Sequence, residues 1–303
     1  MEHNEGNPIV VSIKCLAYNH EKFIRDTLEG FVMQKTTFRF EAIVHDDAST
    51  DGTADIIREY AERYPEIIKP IFETENQYSK HDGSLNRIVG EKLVGKYVAM
   101  CEGDDYWTDE SKLQKQVDYM ESHSNCSLCF HKVNVLDEQQ SGRLFFDHLK
   151  EKDYSAREIY DKWTIPTCSV LYRRDKLKYV YSDKVVFGDI YNWLLLSEKG
   201  LLHCLDYCGA TYRRHAGTLS CSYSEDTCIK LYWQYRYFRK RFPDLADISK
   251  RKEEEQGLQG IIHAPYFDGI WKYRVRYMFR HPSLFFSPFF TNTLLHYTKF
   301  RHY

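Results

Sequence analysis

Residues 40–53 of this 303-residue chain read FEAIVHDDASTDGT, and this stretch decides the fold. The apolar run Phe40–His45 predicts a buried strand, and the polar turn after it leads into a helix predicted over Thr53–Tyr64. A strand that passes through a short turn into a helix is typical of a βαβ unit. The segment therefore predicts an α/β sheet in which two aspartates lie at the carboxyl end of a strand.

The segments on either side repeat this alternation of strand and helix. Further strands are predicted at Ile9–Leu16, Ile67–Phe72 and Lys96–Cys101, and further helices at Glu21–Met33, Leu85–Val94 and Ser111–Ser122. Parallel strands need helical crossovers, which place helices on both faces of the sheet. Ligands bind such a sheet at the carboxyl ends of its strands, so the loops 17–20, 46–53 and 102–108 are the candidate site.

The second half of the chain is more mixed. Strands are predicted at Ser127–Leu136, Cys168–Arg173, Leu201–Asp206 and Gly209–Arg213, and helices at Ser155–Lys162, Asp189–Lys199 and Glu225–Phe242. We predict one domain over residues 1–222. Residues 223–303 form a helical C-terminal extension with a basic, aromatic tail.

Composition excludes several classes of protein. The 42 Lys and Arg residues nearly balance the 44 Asp and Glu residues, which argues against a nucleic-acid binder. The longest apolar run has five residues (97–101), too few to span a bilayer, and the N-terminus has no secretory signal pattern. Nine scattered cysteines favour a reducing compartment. We therefore expect a cytoplasmic protein.

The C-terminal tail differs in charge from the rest of the chain. No acidic residue follows Asp268, and residues 269–303 hold six Lys and Arg residues among many aromatic ones. Aromatic and basic side chains together suit the bilayer interface, which predicts peripheral membrane contact through 271–303 at the inner face of the plasma membrane. The alternative is a packing extension, since Pro282 and Pro288 interrupt any continuous helix.

Two adjacent carboxylates, Asp46 and Asp47, end the strand of the opening segment. Like charges this close repel each other, so the pair needs a reason. Capping of the next helix by Ser49, Thr50 or Asp51 explains the second part of the motif but not the pair. A carboxylate here accepts hydrogen bonds from a nucleotide base or from sugar hydroxyls.

A second acidic cluster, EGDDYW, directly follows the predicted strand YVAMC. Glu102, Asp104 and Asp105 place three carboxylates within four positions, which suggests a hard divalent cation such as Mg²⁺ or Mn²⁺. Gly103 permits a close approach of the backbone. The alternative is an acidic turn before a helix that Asp109 caps.

Three motifs carry a resemblance to a known family. The segments VVSIKCLAYN, EAIVHDDASTDGT and GKYVAMCEGDDYW occur in this order over about residues 8–120, and together they resemble family 2 glycosyltransferases of the GT-A fold. The form EGDDYWTDESKLQKQV resembles the subgroup that acts in bacterial-type surface polysaccharide synthesis. The resemblance continues, more weakly, to about residue 222. It implies a nucleotide-binding half at about 8–120 and an acceptor half at about 121–222.

This resemblance implies a fold and a reaction. The fold is GT-A, a Rossmann-like and mostly parallel sheet flanked by helices. The reaction is the metal-dependent, inverting transfer of a sugar from a nucleotide sugar, in particular a UDP-sugar, to a hydroxyl of a glycan or a lipid-linked acceptor. The implied cofactor is Mn²⁺ or Mg²⁺.

The resemblance also assigns nucleotide binding to individual positions, namely Ala17, Tyr18, Asn19, Asp46, Asp47, Arg87 and Asp104. Ala17 stands where the family often has Thr. Arg87 lies near the family's Arg-Asn pair, but the order here is Asn86-Arg87.

The family's metal motif matches Asp104 and Asp105, with Asp105 the better candidate for direct contact. Glu102 stands where the family often has Asp, and its longer side chain would still reach a ribose hydroxyl of the donor.

The segment FGDIYNWL resembles the family's E-D motif at a helix start, which makes Asp189 the implied general base. Gly188 replaces the usual Glu. The alternative is that Asp189 only caps the helix, as Asp often does.

The segment YRRHAGTLS, residues 212–220, resembles a late family motif near the metal and the diphosphate. The resemblance implies that Arg213 and Arg214 face the diphosphate and that His215 is a metal ligand. The alternative is a surface turn that binds nothing.

Two other functions are open. A sugar nucleotidyltransferase has a similar sheet, but it would show a Gly-rich phosphate loop where this chain reads CLAYNHEKF. A non-catalytic nucleotide- or carbohydrate-binding module would also use the acidic loops, and the replacement at Gly188 is the feature that favours it.

Overall fold

The structure is a computed structural model that describes residues 8–138, 146, 148–162, 164–178, 181–215 and 225–263, without the side chains of 225–226 and 257–263. The predicted membrane contact at 271–303 and the last part of the YRRHAGTLS segment, 216–220, lie outside the described residues.

The described residues form one mixed sheet. Its strands are β1 (Ile9–Ala17), β2 (Arg39–Asp46), β3 (Ile68–Phe72), β4 (Tyr97–Met100), β5 (Tyr106–Trp107), β6 (Cys126–Asp137), β7 (Lys152–Tyr154), β8 (Leu171–Arg173) and β9 (Leu201–Arg214). The strand order is β3-β2-β1-β4-β8-β6-β9-β5, and β7 pairs with β9. The strands β3, β2, β1 and β4 are parallel, whereas β8 is antiparallel to both β4 and β6.

α-Helices lie between many of the strands along the chain, as the α/β pattern predicts, and two more follow the last described strand. They are α1 (Ile24–Val32), α2 (Thr53–Arg63), α3 (Ser84–Gly90), α4 (Lys112–Ser122), α5 (Ala156–Asp161), α6 (Gly188–Ser197), α7 (Glu225–Arg241) and α8 (Ala246–His263). The predicted α/β class, a mostly parallel sheet flanked by helices, is confirmed.

The central strands are buried because both of their faces carry apolar residues. Val11, Ile13 and Cys15 of β1 are fully buried, as are Ala42 and Val44 of β2. Parallel strands covered by helices on both sides show this continuous burial. The carboxyl ends of β2, β1 and β4 therefore lie side by side on a rigid support.

Several predicted elements differ from the observed ones. Of the strand predicted at Cys168–Arg173, only Leu171–Arg173 is a strand, because Thr167–Ser169 form a 3₁₀ turn, and the helix predicted at Leu85–Val94 ends at Gly90. The strands predicted at 201–206 and 209–213 are one strand, β9, because a bulge between the pairs His131–Leu205 and Lys132–Cys208 lets the pairing continue. Helix α1 begins at Ile24 rather than at residue 21, since the N–H groups of residues 23 and 24 both donate to the His20 carbonyl.

The described chain divides into two compact units. One unit holds residues up to 183 together with 187–215, and the other holds Lys184–Val186 with α7 and α8. Within the second unit, the buried Glu253 pairs with Arg239 at 2.9 Å. Among the described helices, none is long and apolar enough to cross a bilayer.

Gly30 of α1 generates a stability prediction. A β-carbon at this position would lie 2.9 Å from the backbone nitrogen of the buried Trp107. We expect Gly30→Ala to lower the melting temperature, with a loss of about 1–3 kcal/mol from overpacking. Gly90→Ala is the matched control, because open space surrounds that position and Ala favours a helix by about 1 kcal/mol. Equal melting temperatures for the two variants would contradict the predicted clash.

Candidate active site

Three loops meet at the carboxyl edge of the sheet. The N–H of Asp47 donates to the carbonyl of Ala17 at 2.9 Å, which joins the ends of β2 and β1. The N–H of Gly103 donates to the carbonyl of Leu16 at 2.9 Å, which joins the loop after β4 to β1. The structure thus brings together the loops 17–20, 46–53 and 102–105.

The turn after β1 is locked to the turn after β2. The side-chain oxygen of Asn19 accepts from the N–H of Thr50 at 2.8 Å, and the N–H of Asn19 donates to the Ser49 hydroxyl at 2.9 Å. Asn19 has a φ of 56° and Ala48 a φ of 60°, in the left-handed region that residues other than glycine rarely adopt. Such backbone strain persists only where surrounding bonds enforce it.

Within the first turn, two predicted nucleotide ligands differ in accessibility. Ala17 is buried, and a β-carbon on Gly103 would lie only 3.0 Å from its methyl group. Tyr18 is 46% exposed, so its ring is the accessible face of this turn.

The carboxylate pair is buried, and its two members have different partners. Asp47 accepts from the N–H groups of Gln77 and Tyr78, at 2.6 and 2.9 Å, and so fastens the loop after β3. Asp46 accepts from the N–H of Ser49 at 3.2 Å, while its other oxygen is buried and has no hydrogen-bond partner in the described part of the chain. Neither of these two aspartates caps α2, because the N-cap residue of that helix is Gly52.

The acidic loop after β4 concentrates negative charge. Burial, with the charges of Asp104 and Asp189 nearby, raises the pKa of Glu102 to about 8. Burial also raises the pKa of Asp105 well above its ordinary value, and the Asp104 charge adds to this. Burial alone would raise the pKa of Asp104. Its pKa is instead lowered, because the hydrogen bond from His215 and the charges of His20 and His215 outweigh the effect of burial.

Asp105 is 1% exposed and lies at the centre of this loop. Its Oδ1 accepts from the N–H of Arg213 at 2.7 Å, and the thiol of Cys168 adjoins the same carboxylate. Its Oδ2 is buried and accepts from no N–H or O–H group of the residues that the structure describes. A buried carboxylate oxygen of this kind suits a cation.

The end of β9 reaches the acidic loop. The Arg213 guanidinium donates to the carbonyl of Asp104 at 2.9 Å and to the Asp26 carboxylate at 2.9 Å, so it holds the loop to α1. Arg214 pairs with Asp137 at 3.2 Å. Arg213 lies at the acidic loop, the side chains of both arginines are engaged with the protein, and their contact with a diphosphate stays a prediction.

Two sets of candidate metal ligands share Asp104. The first is Glu102, Asp104 and Asp105, and the second is His20, Asp104 and His215; in each, the ligand atoms lie within 4.8 Å of one another. The His215 Nε2 lies 3.1 Å and the His20 Nε2 4.0 Å from the Asp104 Oδ2. Sequence reasoning missed His20, although its place directly after the LAYN turn was a usable signal.

Asp189 lies in the first turn of α6, and the N-cap of that helix is Phe187. Its Oδ1 accepts from the N–H of Ile190 at 2.7 Å, and burial raises its pKa. The negative charge of Asp189 contributes to the raised pKa of Glu102, so the predicted base lies near the acidic loop. A β-carbon at Gly188 would meet no atom within 4 Å, so packing does not require glycine there.

A lysine that sequence reasoning missed also faces this cluster. The Lys14 ammonium donates to the Asn86 side-chain oxygen at 2.6 Å and interacts electrostatically with Glu102. Its presence in the otherwise apolar run IVVSIKCLA was the available signal. Arg87, the predicted diphosphate ligand, is exposed on α3. Its charge contributes, after hydrogen bonds with Ser84, to lowering the pKa of Asp82.

The sequence profile of glycosyl transferase family 2 matches residues 12–180. The chain belongs to this family. It is a glycosyltransferase, as the motifs indicate.

Three relatives of this glycosyltransferase come from three different organisms. The uncharacterized protein Rv1520 of Mycobacterium tuberculosis is 37% identical over 84% of this chain and 73% of its own length. The putative teichuronic acid biosynthesis glycosyltransferase TuaG of Bacillus subtilis is 30% identical over 67% of this chain and 79% of TuaG. The UDP-Glc:alpha-D-GlcNAc-diphosphoundecaprenol beta-1,3-glucosyltransferase WfaP of Escherichia coli is 29% identical over 70% of this chain and 80% of WfaP.

Solved structures share the fold of this glycosyltransferase. Residues 1–349 of S. aureus TarS, in complex with UDP-GlcNAc, give a TM-score of 0.59 at 17% identity over 85% of this chain and 82% of that one. The mannosyltransferase PcManGT from Pyrobaculum calidifontis, in complex with GDP-Man and Mn²⁺, gives 0.57 at 16% identity over 86% and 73%. The expected GT-A fold is confirmed.

The raised pKa of Glu102 gives the glycosyltransferase a predicted pH dependence. The unfolded chain releases this proton near pH 4.5, whereas the folded protein keeps it to about pH 8. Unfolding is therefore favoured increasingly as the pH rises between these values. We expect Glu102→Gln to reduce the fall in melting temperature between pH 5 and pH 8, in metal-free buffer.

The control is Glu91→Gln, a change at an exposed position after α3 that should leave the pH profile as in the wild type. An unchanged profile for Glu102→Gln would show that this carboxyl ionises normally in the folded protein.

Proposed function

We propose that this protein transfers a sugar from a nucleotide sugar, in particular a UDP-sugar, to a hydroxyl of a glycan or lipid-linked acceptor, with inversion and with the aid of Mn²⁺ or Mg²⁺. The observation that supports the proposal most is the electrostatic interaction of Asp189 with Glu102, which is one of the three candidate metal ligands Glu102, Asp104 and Asp105. A proton acceptor and a cation site at one sheet edge suit glycosyl transfer.

The residues present fit a divalent cation. Asp105 offers a buried oxygen that accepts no N–H or O–H bond from the described residues. Asp104 lies close to Glu102, Asp105 and His215. Oxygen ligands with imidazole suit Mn²⁺, and oxygen alone suits Mg²⁺. We infer that Asp104, Asp105 and His215 would hold the ion, which would neutralise the leaving diphosphate as a Lewis acid. His20 adjoins the same group.

Asp189 is the proposed general base. Burial raises its pKa, which brings a carboxylate closer to the range useful for taking a proton. It would accept the proton of the acceptor hydroxyl while that oxygen bonds to the anomeric carbon and the bond from this carbon to the diphosphate oxygen breaks. A single displacement of this kind inverts the anomeric configuration, so no covalent sugar–protein intermediate forms.

The nucleotide is proposed to bind over the ends of β1 and β2. The exposed ring of Tyr18 would face the base, beside Asp46, whose buried Oδ1 has no hydrogen-bond partner among the described residues. Asp47 would shape this pocket by holding the loop of Gln77 and Tyr78. The bound UDP-GlcNAc of TarS, a protein of the same fold, supports a UDP-sugar as donor.

The acceptor and the cellular process are inferred from relatives. TuaG is named for teichuronic acid biosynthesis, and WfaP for transfer to a diphosphoundecaprenol-linked sugar. We therefore propose a role in surface polysaccharide synthesis with a glycan or lipid-linked acceptor. Peripheral membrane contact through 271–303 would suit such an acceptor and stays a prediction.

Asp189→Asn separates binding from chemistry. We expect it to slow transfer by about 10²–10⁴-fold, the usual contribution of a general base, with little change in nucleotide affinity. The measurement is UDP release from a panel of UDP-sugars with glycan or lipid-linked acceptors, together with UDP binding by calorimetry. Asp175→Asn, at an exposed position, is the control. Near-normal turnover of Asp189→Asn would exclude this base, and nucleotide binding without any wild-type transfer would favour a binding module.

Asp105→Asn tests the metal. We expect Mn²⁺ with UDP to raise the wild-type melting temperature, with about 2.7 kcal/mol of stabilisation at 100 times the dissociation constant. EDTA should remove this shift, and Asp105→Asn should not show it. Equal stabilisation of the variant by Mn²⁺ would contradict the assignment of Asp105 as a ligand.

A further inference from the structure

Lys14 is a charged residue in the central strand β1, where its neighbours Ile13 and Cys15 are fully buried. Burial lowers its pKa to about 8, so the fold loses stability by keeping an ammonium there. Its contacts, the Asn86 oxygen at 2.6 Å and the charge of Glu102, all belong to the carboxyl edge of the sheet.

Strand pairing places Lys14 and Glu102 on one face. Lys14 is paired with Met100 of the parallel strand β4, so the two side chains point the same way. Glu102 follows Met100 by two positions, and side chains alternate along extended chain, so it points to this face as well. Helix α3 supplies Asn86 to the same face.

This group of three residues, Lys14, Asn86 and Glu102, lies between two parts of the proposed site. Glu102 interacts electrostatically both with Asp104, on the metal side, and with Asp189, the proposed base. In the proposed reaction the diphosphate is on the metal side and the reacting carbon is beside the base. The anomeric carbon carries the diphosphate and belongs to the sugar ring, so in this arrangement the ring lies close to Glu102 and its neighbours.

We propose that Lys14, Asn86 and Glu102 form the subsite that binds the hydroxyl groups of the donor sugar, and that Lys14 determines which sugar is accepted. This inference rests on the proposed function. It is specific to the sugar ring and does not concern the nucleotide.

The chemistry of the group fits neighbouring hydroxyls. An ammonium only donates hydrogen bonds and the carbonyl oxygen of a carboxyl group only accepts them, whereas a sugar hydroxyl does both. A pair of adjacent hydroxyls can therefore accept from Lys14 and donate to Glu102. The acids Asp104, Asp105 and Asp189 nearby would repel a second carboxylate, so the subsite favours a neutral sugar over a uronic acid.

Lys14→Met tests this subsite, because Met keeps an unbranched side chain and removes the charge. Dissociation constants are measured by calorimetry in Mn²⁺ for UDP, UDP-glucose, UDP-N-acetylglucosamine and UDP-glucuronate, and for GDP and GDP-mannose. We expect the affinity for the nucleotide alone to stay within about twofold, while the affinity for the best neutral nucleotide sugar falls about tenfold or more, as for a lost charged hydrogen bond. Lys92→Met, at an exposed position, should behave as the wild type.

The outcomes separate the two proposals. If the wild type binds none of these nucleotides, the proposed function fails and the subsite fails with it. If the wild type binds the nucleotide and its sugar form, but Lys14→Met weakens both equally or neither, only the subsite is overturned. A wild-type preference for UDP-glucuronate over the neutral UDP-sugars also overturns it.

A second variant keeps the test valid if Lys14→Met does not fold. Lys14→Arg retains the charge but changes the number and direction of its donors. We expect nucleotide affinity close to that of the wild type with a changed order of preference among the sugars. An unchanged order would contradict a role for Lys14 in choosing the sugar.

Discussion

Arg213 holds the acidic loop in place from three directions. Its backbone N–H binds the Asp105 carboxylate, and its guanidinium binds the Asp104 carbonyl and the Asp26 carboxylate. The aromatic face of Phe23 lies 4.8 Å from the guanidinium carbon. Three distant segments, the loop after β4, helix α1 and the end of β9, are thereby fixed to one another. A buried cation with this many partners offsets its loss of hydration, and it also compensates part of the negative charge of the loop.

Most strands and helices of residues 8–120 could be predicted from the sequence, because the hydrophobic pattern of each segment agrees there with the alternation of strands and helices in an α/β sheet. A run such as FEAIVH is apolar enough to be buried and short enough to be a strand, and acids directly after it must lie at the carboxyl edge. The second half was harder, since its strands are mixed in direction. The bulge near Cys208 depends on the partner strand β6, which no local pattern around Gly209 reveals.

The partners of polar side chains could not be read from the sequence. Ser49 and Thr50 are residue types that often cap helices. In the structure they are instead hydrogen-bonded to Asn19, in the turn after β1. The motif predicts that Arg213 contacts a diphosphate, whereas in the structure its guanidinium donates to the Asp104 carbonyl and the Asp26 carboxylate. A long cationic side chain can turn towards several neighbours, so its position in the chain fixes where it begins but not what it contacts.

The charge of the site explains why a cation and the donor belong together in the proposed reaction. Glu102, Asp104, Asp105 and Asp189 crowd one edge, and Lys14 balances only part of their charge. A diphosphate is itself an anion, so this edge would repel it in the absence of a counter-charge. A divalent ion removes that repulsion and relieves the buried acids at the same time. Binding of the ion and of the nucleotide should therefore be mutually favourable, and it should offset part of the stability that burial of these acids costs the free protein.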